Sequence, residues 1–424
     1  MIGGPALSRG LSPLRQVLNN GVVILAEATD AVPAVALNAT FTHGSVEDPE
    51  DLPGVAYLTR KVIDRGTTSR SAGDIARTLD DRGVSLRTSV TRHSFSLSCV
   101  CLPEDFHEIL ALIGDVARHP GFLAEELERR RVEAITSLHE DEDDPSKLAV
   151  DLLHESLYGS QHPYGRLIKG TRGTLETITR AHLLQYQERW LVPSALRVAV
   201  AGAIPTSAVL SSAARVFEDW AAPRAIDAAI PPPPARSART VTVKRMDGKS
   251  QADIAYGFST VRRLDPRFYA YWIMNTVLGQ FGLGGRLAEN IRERQGMAYY
   301  AYSTLEATVG EGPLIIRAGV DPVNVDRAVA AIDAEVRSLR DSGPTTAELE
   351  ETRESLIGSI PRMLETNEST AEFLLHAEQF GLGLDYDRRL PDLLQRVTMQ
   401  DVREAAAEVL DPSRAAVAIA GPVA

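Results

Sequence analysis

Arg292 and Tyr299 stand seven residues apart, on either side of Gly296, and both side chains can bind oxygen atoms of a ligand. A guanidinium offers a planar fork of donors that suits a carbonyl or a carboxylate. A phenol can donate to an oxygen that gains negative charge during a reaction. The pattern predicts that Arg292 ends a helix broken by Gly296 and that Tyr299 lies on the following strand. The simpler interpretation is a surface arginine and a core tyrosine.

A glycine-rich stretch precedes this pair, at residues 279–285. A phosphate-binding loop would end in Gly-Lys-Ser or Gly-Lys-Thr, whereas Arg286 follows here. We therefore interpret the stretch as a turn that lets a peptide backbone approach closely. The predicted substrate contacts are Gly282, Gly284 and Gly285.

Tyr57, Arg60 and Lys61 are spaced to lie on one face of a helix that begins near Gly54. A guanidinium has no lone pair to give to a metal ion, and an ammonium beside it repels a divalent cation. The three residues therefore predict a face that cannot hold a metal.

The segment from Gly54 to Ser71 resembles the zinc helix of the pitrilysin/insulinase family of metallopeptidases, the H-x-x-E-H inverted zincins. In that family two histidines and a glutamate stand where this chain has Tyr57, Lys61 and Arg60. The resemblance also implies a third ligand on a later helix, and counting back from Pro145 places that position near Thr136 or Ser137. It therefore implies no metal in this chain. The frame that carries the resemblance is Gly54, Ala56, Gly66, Thr67 and Ser71.

A different metal site would have to use His139 and Glu140 with His154 and Glu155. The spacing of these residues matches no short ligand pattern, and charged residues at a helix end are usually solvated. Cys99 and Cys101 alternate along a predicted strand, which favours two small core residues over a metal pair.

The chain contains an internal repeat with an offset of 219 to 222 residues, which predicts two homologous halves. Between the halves stand four consecutive prolines, typical of an extended linker. The predicted domains are 12–222, with the altered zinc motif, and 238–424, with the Arg/Tyr pair, joined by a Pro-rich linker at 223–237. The paired segments begin at Glu126 and Glu348, Leu152 and Leu374, and Pro193 and Pro412.

Hydrophobic periodicity predicts an α+β fold in each half, with antiparallel-rich sheets covered by helices. Asn20-Gly21 predicts a tight hairpin turn, and Ser71 predicts a helix N-cap with Gly83 as the stop of that helix. Further helices are expected at 103–118, 124–142, 146–158, 179–190, 265–278, 284–295, 322–341 and 345–364.

The 424 residues carry a net charge of −12, from 45 basic and 57 acidic side chains. This balance argues against a nucleic-acid partner, which needs a basic face. No apolar run reaches the ~20 residues that span a bilayer. We therefore expect a soluble protein, cytoplasmic or periplasmic.

The resemblance implies a role in a pair of subunits. In two-subunit members, one subunit bears the H-x-x-E-H zinc site and its homologous partner bears an Arg/Tyr pair, matched here by Arg292 and Tyr299. The chain is expected to lack peptidase activity alone and to bind peptide with a zinc-bearing partner. The alternative is a catalytically inert structural or peptide-binding subunit.

Overall fold

The computed structural model describes residues 10–224, 229–279 and 284–423. Within these ranges the chain forms two compact units. Unit 1 comprises the described residues of Met1–Ile135, Ile168–Ala228 and Ser359–Leu390. Unit 2 comprises those of Thr136–Leu167, Ala229–Gly358 and Pro391–Ala424.

Unit 1 contains a sheet with the strand order β1-β2-β6-β3-β5-β4. β2 pairs with β6 in parallel, and the other neighbours are antiparallel. The β1–β2 hairpin turns through Gly21 at φ 92°, which confirms the tight turn predicted from Asn20-Gly21. The strands are β1 (Leu14–Val17), β2 (Val23–Ala28), β3 (Val35–Phe41), β4 (Arg87–Val90), β5 (Phe95–Cys101) and β6 (Leu196–Gly202).

Unit 2 contains a sheet whose five strands are β7 (Thr240–Arg245), β8 (Ala252–Ser259), β9 (Ala298–Leu305), β10 (Pro313–Val320) and β11 (Ala416–Gly421). The strand order is β7-β11-β8-β10-β9, with one parallel pair, β7 and β11. This order and its parallel pair match β2-β6-β3-β5-β4 of the first sheet. The two halves therefore share one α+β topology, as the sequence repeat predicts.

Helices cover the sheets, and the helices predicted from periodicity are present within a few residues. Ser71 caps α2 in a capping box with Asp74, as expected. The sequence did not reveal α6 or α8. The α-helices are α1 (Val55–Val62), α2 (Ala72–Asp80), α3 (Phe106–Arg118), α4 (Ala124–Glu142), α5 (Pro145–Tyr158), α6 (Arg172–Thr177), α7 (Arg180–Trp190), α8 (Thr206–Phe217), α9 (Phe268–Leu278), α10 (Val325–Ser342), α11 (Thr346–Met363), α12 (Asn367–Gln379), α13 (Tyr386–Gln395) and α14 (Met399–Val409).

The compact units differ from the predicted domains 12–222 and 238–424, because each unit contains a helix from the opposite half. α5 packs on β8 and β11, where Leu153 covers Gly257 so closely that a Cβ there would lie 2.9 Å from Leu153 Cδ2. α12 packs on β3 and β6, with Leu374 and Leu375 in that core. Repeat-related helices thus exchange sheets, because an apolar face specifies burial but not which sheet provides it.

Cys99 and Cys101 lie on β5 with both side chains buried. Burial raises the pKa of the Cys99 thiol to about 12, so it stays protonated and unreactive. The core interpretation of the two cysteines is confirmed. Within the described part of the chain, no helix is both long enough and apolar enough to cross a membrane.

Candidate functional site

Helix α1 is held at its first turn by a carboxylate from the preceding loop. Asp48 is buried and accepts hydrogen bonds from the Gly54 amide at 2.7 Å and the Ala56 amide at 2.8 Å. A negative charge at this end of a helix is favourable because the first amides point outward. The position of Tyr57, one turn later, is therefore fixed by a buried cap.

Two glycines bring a distant segment against the start of this helix. Gly54 has φ 102°, and a Cβ there would lie 2.8 Å from the Lys169 carbonyl oxygen. Gly170 has φ 73°, and its Cβ would lie 2.2 Å from the Pro53 carbonyl oxygen. Both positions need glycine for conformation and for space. The close approach places Lys169 beside Tyr57.

Three cationic side chains face the ring of Tyr57, which is only 6% exposed. The Arg60 guanidinium carbon lies 5.0 Å from the ring centroid. The Lys61 and Lys169 ammonium nitrogens lie at 5.7 and 5.9 Å. The negative face of an aromatic ring attracts cations at such distances. We call Arg60, Lys61 and Lys169 the Tyr57 cation cluster.

The surroundings of Arg60 and Lys61 neutralise these two charges only in part. Arg60 Nη1 donates to the Thr88 carbonyl of β4 at 3.1 Å, while its Nε is buried without a hydrogen-bond partner among the described residues. Glu133 is bound chiefly by Arg130, at 2.7 and 2.8 Å. That hydrogen bond, with smaller contributions from Arg130 and Lys61 charge, lowers the pKa of the Glu133 carboxyl.

A zinc ion does not fit this arrangement. Tyr57, Arg60 and Lys61 present a phenol, a guanidinium and an ammonium where the related pattern has two imidazoles and a carboxylate. The two cations turn toward the Tyr57 ring rather than away from it. Thr136 and Ser137, the predicted position of the third ligand, carry only hydroxyl groups on α4.

The alternative metal site is not supported either. His154 stacks on Tyr158 and has its Nε2 3.9 Å from Glu306 Oε2. Across residues 10–224, 229–279 and 284–423, no group of three or more His, Cys, Asp or Glu side chains could hold a metal ion. The described side chains around Tyr57 offer hydrogen-bond donors and positive charge.

Arg292 lies in a π-helix, Ala288–Arg294, where the sequence predicted an ordinary helix over 284–295. The helix ends as predicted at Gly296, which adopts φ 60°. π-Helical turns are rare overall, but those that occur are often found at functional sites. The extra residue in the turn changes the direction of the side chains. The Arg292 side chain is 35% exposed, and its Nε lies 3.6 Å from Glu293 Oε1.

Tyr299 lies on β9, the edge strand of the second sheet, as predicted. In the ladder with β10, Tyr300 pairs with Gly319 and Ala298 pairs with Val320, so Tyr299 is the extra residue of a β-bulge. Bulges redirect side chains and occur often beside active sites. Tyr299 is 83% exposed, the opposite of the simpler core-tyrosine interpretation.

The predicted substrate contacts in the glycine stretch have different outcomes. Gly282 lies outside the described residues. Gly284 is exposed, and a Cβ there would meet nothing within 4 Å. Gly285 has φ 89° and packs on Gly279, where a Cβ would lie 2.7 Å from its Cα. The turn itself therefore requires glycine at 285, whereas substrate contact stays a prediction for all three positions.

A cavity of about 740 Å³ lies on another side of the π-helix. Glu289, Asn290 and Arg294 line it, whereas Arg292 does not. Arg286 and Glu348 also line this cavity, and Arg286 donates two hydrogen bonds to Glu348, at 2.7 and 2.8 Å. The Arg286 hydrogen bond lowers the pKa of Glu348 to about 2.

Sequence reasoning missed Lys169, which completes the cation cluster. Lys169 lies on a loop far along the chain from Tyr57, and no local pattern marks it. The available signal was Gly170, because a glycine in a charged loop often marks a close backbone approach. The bulge at Tyr299 was also missed. The available signal was Gly319 on the facing strand, because a glycine inside a strand often marks a bulge.

Two α+β units share one topology; unit 1 carries a cationic helix face, and unit 2 carries a partly exposed Arg292 and an exposed Tyr299. Family models agree: residues 22–171 match the model described as Insulinase (Peptidase family M16). Residues 177–356 match the one described as Peptidase M16 inactive domain. The chain belongs to the insulinase family of peptidases, family M16.

Similar proteins come from several bacteria. An uncharacterized zinc protease of Mycobacterium leprae is 26% identical, covering 98% of this chain and 93% of the relative. YmxG of Bacillus subtilis, also an uncharacterized zinc protease, is 26% identical, over 84% of this chain and 85% of its own.

Solved structures show the same fold. The peptidase M16 inactive domain from Pseudomonas fluorescens superposes with a TM-score of 0.90 at 24% identity, covering 98% of both chains. A protease from Helicobacter pylori superposes with a TM-score of 0.87 at 16% identity, covering 97% of this chain and 99% of the other.

Proposed function

We propose that this chain is the non-zinc subunit of a heterodimeric metalloendopeptidase and that Arg292 and Tyr299 act on the peptide substrate. The partner is a homologous subunit with an intact H-x-x-E-H motif. The observation that carries the proposal is Tyr299: a large aromatic side chain, 83% exposed, aimed outward by a β-bulge on an edge strand. Its ring and its hydroxyl group are therefore both accessible to a ligand.

The two side chains have separate tasks in this proposal. The Arg292 guanidinium binds a substrate carbonyl or carboxylate through its planar donors. The Tyr299 hydroxyl donates to the carbonyl oxygen as that oxygen gains negative charge. The partner supplies the zinc ion, which activates water and polarises the carbonyl. This chain's share is binding, orientation and charge stabilisation.

Unit 1 supports the proposal through the side chains on the face of α1, which do not suit a metal ion. Its helix face offers a metal no suitable donor, because Arg60 and Lys61 are cationic and contact the Tyr57 ring. The name Peptidase M16 inactive domain, given to the family model over residues 177–356, is in line with a chain that needs a partner. Hydrolysis by this chain alone is therefore not expected.

The competing function is a catalytically inert structural or peptide-binding subunit. An inert subunit does not need an exposed tyrosine seven residues beyond a partly exposed arginine, and either residue could change without effect. The two functions therefore differ in what Arg292→Ala and Tyr299→Phe do to cleavage by an assembled pair.

The test mixes the purified chain with the H-x-x-E-H homologue from the same organism and follows cleavage of a quenched fluorescent peptide. Tyr299→Phe should lower kcat about 100-fold, the effect of losing one donor to a developing oxyanion. Arg292→Ala should mainly raise KM. Size-exclusion chromatography shows whether each variant still assembles.

Matched controls come from the same elements. Tyr302→Phe alters another tyrosine of the same strand, and Arg294→Ala removes an exposed arginine of the same π-helix. Both should cleave like the wild type. Unchanged kcat and KM in the Arg292 and Tyr299 variants would show that the pair has no catalytic duty.

A further inference from the structure

We propose that the Tyr57 cation cluster is a binding site for a carboxylate of a peptide, either an acidic side chain or the C-terminal carboxylate. This site lies wholly in unit 1 and uses residues of α1 and the loop before α6. Arg292 and Tyr299 belong to unit 2 and take no part in it, and the binding needs no second subunit.

The first argument is convergence. With nitrogens 5.7 and 5.9 Å from one ring centroid, Lys61 and Lys169 lie at most 11.6 Å apart. Arg60 is closer to the same centroid, at 5.0 Å. Arg60 and Lys61 are like charges beside one ring, so their mutual repulsion is relieved when an anion joins them. The whole chain is acidic, with a net charge of −12, whereas the side chains of the Tyr57 cation cluster are basic. The cluster therefore stands out from the rest of the chain in the sign of its charge.

The second argument is an unused donor. Arg60 is held by the Thr88 carbonyl, yet its Nε is buried and donates to no described residue. A buried donor without an acceptor costs free energy, which a ligand oxygen can recover. Lys61 makes no hydrogen bond or close ion pair with another described residue; its ammonium faces the Tyr57 ring, and its charge acts also on Glu133. These donors are what a carboxylate requires.

The third argument is access and rigidity. Arg60, Lys61 and Lys169 are each partly exposed, so a ligand from solvent can reach them. Their positions are set by the buried Asp48 cap and by the contact between Gly54 and Gly170. A preformed group of donors binds with less loss of side-chain entropy than flexible surface lysines do.

The experiment uses the isolated full chain and three fluorescein-labelled peptides of equal length, at pH 7.5 and low salt. The first peptide is neutral with an amidated C-terminus. The second contains two glutamates and is amidated, and the third is neutral with a free C-terminal carboxylate. Fluorescence anisotropy should show at least about tenfold tighter binding of the second or third peptide than of the first. Whichever binds identifies the source of the carboxylate.

Single variants then locate the site. Lys61→Gln and Lys169→Gln should each weaken binding of the acidic peptide by about 3- to 10-fold. Lys244→Gln, an exposed lysine on β7, removes the same charge elsewhere and should leave binding unchanged. Equal binding of all three peptides, no binding of any, or wild-type affinity in both cluster variants would each overturn the proposal. Because no partner is present, these results are independent of the peptidase assay.

Discussion

Lowering the pH from 7.5 to 4.5 is expected to destabilise the folded protein by about 2.5 kcal/mol through His93 alone. His93 lies between β4 and β5 and is 8% exposed. Burial, and secondarily the charge of Arg92, lowers the pKa of its imidazole from 6.5 to about 4. Below pH 6.5 the His93 imidazole is therefore protonated in the unfolded chain, whereas in the folded chain it stays neutral down to about pH 4.

The sign follows from that order of protonation. At pH 7.5 the imidazole is neutral in both states and contributes nothing. Between pH 6.5 and 4 only the unfolded state gains the proton, so the free energy of unfolding falls as the pH falls. The effect levels off below pH 4, where both states are charged.

The measurement is urea unfolding followed by tryptophan fluorescence. Of the three tryptophans, Trp190 and Trp220 lie in unit 1 with His93, whereas Trp272 lies in unit 2. In a Trp272→Phe background the signal therefore reports on the unit that contains His93. The free energy of unfolding is compared at pH 7.5 and 4.5 with and without His93→Gln.

The carboxyl groups also titrate in this range, but they are common to every variant and cancel in the comparison. His93→Gln should lose about 2.5 kcal/mol less than the parent between the two pH values. His139→Gln changes an exposed histidine of α4 and should behave like the parent. If His93→Gln shows the same pH dependence as the parent, the imidazole is not held neutral by burial and the reasoning fails.

Two further predictions concern the cation cluster and the metal. Gly170→Ala should destabilise unit 1 by about 2–4 kcal/mol, because Gly170 has φ 73° and a Cβ there would lie 2.2 Å from the Pro53 carbonyl oxygen. The control Gly173→Ala should change stability little, because its Cβ would meet only Thr171 Oγ1 at 3.9 Å. Equal urea midpoints for the two variants would contradict this prediction. After equilibration with zinc and dialysis, the isolated chain should retain far less than one equivalent of zinc by elemental analysis. The H-x-x-E-H homologue, treated in parallel, should retain about one equivalent. Stoichiometric zinc in this chain would refute the argument that Tyr57, Arg60 and Lys61 cannot ligate a metal.

Much of the fold could be predicted because it depends on local signals. The Asn20-Gly21 turn, the Ser71 cap and the stop at Gly83 each follow from the conformations that these residues favour. The repeat then fixed the equivalence of the two halves. The placement of Tyr299 on a strand that starts after Gly296 came from the same kind of signal.

What could not be predicted depends on contacts distant in sequence or on small backbone irregularities. The apolar face of α12 predicts burial, but nothing in the chain tells that its partner is β6 rather than a strand of its own half. The π-helix contains neither Gly nor Pro to set it apart from an α-helix. The bulge at Tyr299 depends on Gly319 across the ladder, where a Cβ would lie 2.7 Å from Tyr300 Cε1.

The substitutions on α1 change what the helix face can do without reversing its polarity. In the family pattern proposed for this helix, two neutral imidazoles and one carboxylate become positive only when a divalent ion binds. Arg60 and Lys61 are cationic side chains that need no bound ion to carry positive charge. Ligand oxygens are therefore still attracted, but neither side chain can itself act as a Lewis acid. A fixed positive charge can hold a substrate oxygen, so this face of α1 is suited to binding.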